Sequence, residues 1–154
     1  MVVVKTSTPN LDRIEKETKY LKTHGVKVGV IGNDTNDDGI SIKEYANYLI
    51  LGTSNMPPRD FMQHSVRNRK GRLEVTRLQK QLLRKVYNGE ITGEQALNQI
   101  GIYVVQMIKA SIMSNDFAPL KQSTINKKTR NKNNILRDTD ALLNSIAYEV
   151  VKLW

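Results

Sequence analysis

Residues Asn33 to Tyr45, "NDTNDDGISIKEY", place oxygen-bearing side chains at alternate positions and follow them with a glycine, the arrangement a calcium loop needs. Counting from Asp34, the candidate ligands are Asp34, Asn36 and Asp38, with Gly39 sixth. The second half of the pattern fails: the twelfth position, where a bidentate glutamate must close around the ion, is Tyr45, and Glu44 comes one residue early. The preceding "VKVGVI" (26–31) alternates like a strand, whereas a calcium loop of this kind is entered from a helix. Asn33 to Gly39 therefore reads as a polar turn, with Ser41 and Glu44 as a capping box that opens a short helix "IKEYANYLIL". No cofactor or metal is expected.

Acid–base chemistry has little to draw on. His24 and His64 are the only histidines, and neither lies in a nucleophile or metal motif; there is no phosphate-binding loop, dinucleotide fingerprint or HExxH. His24, beside Gly25, suits the C-terminal cap of a helix, and His64 lies in a basic run where exposure is expected. An enzyme is not expected.

The elements that would position these residues fit one domain over 1–154, since 154 residues with 39% apolar content can bury one core. The chain has no cysteine, so disulfides and thiolate metal sites are excluded. No signal-peptide pattern and no apolar run of membrane-spanning length is visible, which points to a reducing cytoplasm and no membrane partner. "LDRIEKETKYLKTHG" predicts an amphipathic helix with Leu11, Ile14 and Leu21 on one face and Gly25 as its stop. Pro57 and Pro58 interrupt the chain, and a helical stretch from Phe61 to about Tyr87 follows, kinked or mobile near Gly71, with Leu78, Leu82 and Val86 on one face.

Thr92 and Gln95 form a second capping box before the most periodic element, Gly93 to Met113, whose Leu97, Ile100, Val104, Met107, Ile108 and Ile112 make a core stripe. A turn or two of helix precedes a Lys/Asn tract, read as a flexible basic arm over about 126–135. Asp138 or Thr139 caps a short helix, and Ile146, Tyr148 and Val150 alternate as a strand. The fold class is α+β, a small antiparallel sheet packed against several helices with one long amphipathic helix in the core.

Charge is segregated along the chain. The net +9 arises from residues 59–137, which carry +11, while 1–58 are neutral and 138–154 carry −2. Such a middle suits an acidic protein surface or a phosphate backbone. Arg67, Arg69, Lys70, Arg72, Lys127, Lys128 and Arg130 are the candidates to face a partner or DNA, and Arg77, Lys80, Arg84 and Lys85 extend the run.

Taken in order, "EYANYLILGTSNMPPRDF", two helices, "APLKQSTINKKT" and "ILRDTDALLNSIAYEV" resemble the tail-completion or head-to-tail joining family of long-tailed bacteriophages, of the tail-component or virion-morphogenesis type. The resemblance spans about residues 26–151. Gly52, Thr53, Pro57, Arg59 and Phe61 match the family's first motif, Pro119, Leu120 and Thr124 its second, and Leu136, Asp138, Thr139, Leu142, Ser145 and Ile146 its third. Leu51 stands where an aromatic is usual, Asp60 replaces a proline, and Asp140 replaces a glycine, so the turn there either needs no positive φ or accepts an aspartate in one.

The resemblance implies a structural protein of the virion neck, made in the host cytoplasm. It would assemble as a homo-oligomeric ring, complete the tail end, and join the tail tube or its terminator to the head connector, with contact to passing DNA open. On that reading the stiff loop is a docking surface, and Tyr45, Tyr48, Gly52, Pro57, Pro58, Arg59 and Phe61 are the assembly candidates. A basic nucleic-acid-binding module is the alternative, favoured by the charge but lacking a helix-turn-helix, zinc-finger or aromatic-sheet pattern.

Overall fold

The computed structural model of the chain describes residues 9–32, 34–35, 39–128 and 130–153. Asn33, Asn36 and Asp38 lie outside them, and with them much of the polar turn and two of the three calcium-loop candidates. Asp34 is exposed, and its backbone carbonyl accepts from the Ile42 amide at 2.9 Å, where the next helix begins.

Helix α1 (Pro9–Thr23) leads directly into strand β1 (His24–Val30). Helix α2 (Ile42–Leu51) follows, then a π-helical turn over Gln63–Arg67, α3 (Arg69–Asn88), α4 (Gly93–Met113), α5 (Gln122–Lys127), α6 (Ala141–Ser145) and β2 (Ile146–Lys152). The two strands pair antiparallel in one sheet, from His24 opposite Lys152 to Val30 opposite Ile146. The molecule is α+β, as the alternation at both ends of the chain predicts.

The period of two puts Val26, Val28 and Val30 on the same sheet face as Ile146, Tyr148 and Val150, and that face lies on α4. Gly101 lets the sheet come this close: a Cβ there would stand 2.2 Å from the Tyr148 ring. Tyr148 Oη also donates to Asn98 Oδ1, one turn earlier on α4, at 3.2 Å. The main core gathers Ile42, Ala46 and Leu49 of α2, Phe61, Ile108 and Ile112 of α4, and Leu136, Leu142 and Ile146. A smaller core of Leu82, Val86 and Ala96 joins α3 to α4, with Leu21 of α1 against it.

Several local expectations are corrected. Gly25 is not a helix stop but pairs with Val151 inside the sheet; α1 ends because its chain turns into β1. His24 Nδ1 does lie 3.1 Å from the Tyr20 carbonyl, and its ring stacks on Tyr20 with centroids 4.0 Å apart. Leu11 is 66% exposed, so only the C-terminal part of the expected apolar face is used. Polar ties fix α1 instead: Arg13 donates to the Val86 and Tyr87 carbonyls at the end of α3, both at 2.7 Å, and Glu17 accepts from the Gly93 amide at 2.6 Å.

The Ser41–Glu44 capping box does not form, because Glu44 accepts instead from the Tyr48 hydroxyl one turn on. The Thr92–Gln95 box does form, and α4 spans the residues its periodicity predicts. The long helix from Phe61 breaks at Asn68, whose extended backbone separates the π turn from α3 while its side chain accepts from the Gly71 amide at 2.8 Å. The cap of α6 is Asp140, not Asp138 or Thr139. It sits at φ 64°, the left-handed region that a glycine would enter freely. Arg137 forks onto its carboxylate at 2.6 and 3.0 Å and holds its pKa below the ordinary value.

Candidate interaction surfaces

The loop after α2 divides into a buried half and an exposed half. Gly52 ends the helix at φ 74°, and a Cβ there would meet the Met56 carbonyl and the Pro58 nitrogen at 2.9 Å, so only glycine fits. Thr53 and Met56 exchange backbone hydrogen bonds of 2.9 and 3.2 Å, closing a tight loop. Its far side returns through the Arg59 amide to the Leu49 carbonyl at 2.6 Å.

The resemblance places Arg59 and Phe61 at a subunit contact, yet both are interior. Arg59 is 4% exposed; its Nε donates to the Ala118 carbonyl at 2.9 Å and its Nη2 to the Pro119 carbonyl at 3.1 Å. Loss of water depresses its pKa, though a guanidinium keeps its proton. The side chain thus staples the first family-like motif to the second. Phe61 is 1% exposed, and its carbonyl accepts from Ser65 Oγ at 2.7 Å and Ser111 Oγ at 3.1 Å. Tyr45 is half-buried against the main core. Of the assembly candidates, Tyr48, Pro57 and Pro58 remain at the surface, joined by Leu51 at 78% exposure, a residue the sequence marks only by its departure from the motif.

The basic candidates separate in the same manner. Lys128 turns inward: its ammonium donates to the Asn134 and Arg137 carbonyls, and burial lowers its pKa, so it ties the loop together. The surrounding 126–135 segment has further ties, with the Asn115 side chain bonding the Asn133 carbonyl at 2.8 Å and the Ile135 amide at 2.6 Å. Lys127 and Arg130 are exposed. Arg67, also exposed, lies 3.8 Å from Asp60.

On α3, Arg69, Lys70, Arg72, Arg77, Lys80 and Arg84 are all exposed. At 100° per residue they fall within an arc of about 160° along a helix ~30 Å long. Leu73, Leu83 and Tyr87 rise between them at 50%, 39% and 46% exposure. A broad cationic ridge with apolar side chains set into it can desolvate against an acidic surface as well as attract one. The sequence does not single out these three, because the stripe of Leu78, Leu82 and Val86 by itself accounts for an amphipathic helix.

One constellation was not foreseen at all. His64 Nδ1 lies 3.1 Å from Ser111 Oγ, and its Nε2 lies 3.2 Å from Asp116 Oδ2, the three residue types of a hydrolytic triad. The geometry does not suit a nucleophile: Ser111 is only 6% exposed, inside α4, and its hydroxyl donates to the Phe61 carbonyl. The contacts instead tie the π turn to the end of α4, with the His64 ring tilted against Phe117 at 5.1 Å. His64 is therefore more engaged than its basic neighbourhood implied. Among the described residues no cluster of three or more metal-ligating side chains occurs, and no helix is long and apolar enough to cross a membrane.

Set against known protein-family models, curated proteins and solved structures, the chain matches none.

Proposed function

We propose that this protein is a structural component of a bacteriophage neck, completing the tail end and joining the tail tube to the head connector as a ring of identical subunits. The observation that carries the reading is the convergence of the three motifs. Arg59 of the first donates to the carbonyls of Ala118 and Pro119 at the second, and Phe61 shares one core with Leu136, Leu142 and Ile146 of the third. Residues spread over more than half of the chain thus act as one structural unit, as a shared fold would require. Ring closure needs two different surfaces on each subunit, turned by a whole-number fraction of a circle. The exposed Tyr48, Leu51, Pro57 and Pro58 supply one candidate, and the α3 ridge supplies another of distinct chemistry.

The test is a phage lacking the gene. Filled heads and finished tails that fail to join, or tails with faulty ends, are expected, and purified protein imaged with tail tubes should cap them. Normal infectious particles from the deletion would defeat the assignment. The α3 ridge also favours a second reading, a nucleic-acid-binding module. Binding to duplex DNA that falls steeply with salt, with no association to tails, would support that reading instead.

A further inference from the structure

Among the described residues the sheet has two strands, and the outer edge of β1 has no neighbour. The register settles which backbone groups are left over. Ile31 bonds Ser145 and Leu153 bonds Thr23, so by the period of two, residues 25, 27 and 29 point their amides and carbonyls at β2. Those of Val26 and Val28 point away from it. Beside this edge runs an open groove of about 730 Å³, with Val26 and Val28 on one side, Ile100 and Val104 of α4 beneath, and Val75 of α3 as the opposite wall. Arg72 stands in the lining on the α3 side, at the end of the helix where Arg69 and Lys70 are also exposed.

We infer that this groove accepts a single extended peptide segment from a partner, added as a third strand on β1, with apolar side chains toward α4 and acidic ones toward Arg72. The outward-facing amides and carbonyls of Val26 and Val28 supply main-chain recognition, the apolar floor takes alternate side chains, and Arg72 selects their charge. A lone segment fits better than another folded copy. The groove is bounded by β1 on one side and by α3, packed on α4, on the other, which leaves room for one extended chain and not for a second sheet with a helix of its own. The inference stands apart from the neck reading, since any partner with such a segment would qualify.

The probe is a fluorescein-labelled eight-residue peptide alternating glutamate and valine, titrated into the intact protein by anisotropy while amide exchange is followed. Saturable binding with slowed exchange at Val26 and Val28 is expected. A peptide with lysine for glutamate, and one N-methylated at alternate amides, should each bind at least about tenfold more weakly. Gln79 lines the groove from an exposed position, so Gln79→Trp should block binding without altering the melting curve. Arg72→Glu should shift preference toward the lysine peptide. Equal binding of the N-methylated peptide, or unchanged exchange at Val26 and Val28, would overturn strand addition; equal binding of the lysine peptide would overturn the acidic partner. A concentration-dependent oligomer that protects both amides without peptide would show that a second copy fills the groove instead.

Discussion

The segment Gly52–Phe61 and the outer face of α3 both read as contact surfaces in the sequence, and the structure treats them oppositely. Arg59 and Phe61 are nearly inaccessible, while six cations of α3 are exposed together. The difference teaches that a stiff, aromatic, arginine-bearing motif has two uses. It can present anchors to a neighbour, or it can fold back and anchor its own chain. What decides is whether the backbone supplies carbonyls for the arginine, as Ala118 and Pro119 do. A helix face has no such choice, because once its apolar stripe is buried the opposite side must face outward.

The sharpest way to break the comparison is Phe61→Ala. If Phe61 is a core residue, the substitution should cost ~3–5 kcal/mol of monomer stability, read by denaturant unfolding. A loss under 1 kcal/mol, with assembly abolished, would return Phe61 to the interface. Arg59→Ala comes next, at about 1–3 kcal/mol, because two carbonyls lose their donor where water has only partial access. Arg59→Lys should recover only part of this, since an ammonium cannot reproduce the fork. Full stability in Arg59→Ala would mean that the staple is dispensable.

How much of this was legible in the sequence follows from what each signal depends on. The bounds of α2 and α4 come from local periodicity, and the Thr92–Gln95 cap from residues three apart, so both could be read directly. The Ser41–Glu44 box has the same spacing and failed because Glu44 found the Tyr48 hydroxyl, a competitor that spacing alone does not rank. The pairing of β1 with β2 joins residues over a hundred positions apart, and only their alternation hinted at it. Least legible were the long-range polar ties: Arg59 to Ala118, and His64 to Ser111 and Asp116. Nothing in a one-dimensional pattern pairs an arginine with a particular carbonyl. Lys128 misled for the same reason, since a Lys/Asn tract looks solvated until the carbonyls that take one of its ammonium groups are known.

A third, smaller effect sharpens the comparison within the last motif. Asp140 is held below the usual carboxylate value chiefly by its hydrogen bonds from Arg137, so its folded pKa lies beneath its unfolded one. Its contribution is therefore complete above the unfolded value and is lost as pH falls through the folded one. Asp140→Asn keeps a residue that tolerates the left-handed backbone and removes only the charge. The variant should be less stable than the parent near neutral pH, and the two should converge in acid. A gap that stays constant with pH would mean that turn geometry, not the Arg137 pair, sets the role of residue 140.

The smallest effect on folding is expected on α3, and it bears most directly on function. Arg77, Lys80 and Arg84 are exposed, and among the described residues none takes part in an ion pair. Reversing all three to glutamate should change stability by less than about 0.5 kcal/mol per site, and relief of repulsion among neighbouring cations offsets part of even that. Binding should respond far more, because a surface that loses three positive charges and gains three negative ones repels what it formerly attracted. Under the neck reading, tails capped by the variant should fail to take a head while the subunit still folds. Under the nucleic-acid reading, the salt dependence of duplex binding should flatten as phosphate contacts are lost. If the triple variant supports normal infection and binds duplex DNA as the parent does, the α3 ridge is only a solvated face, and the search for a partner surface moves to Tyr48, Leu51, Pro57 and Pro58.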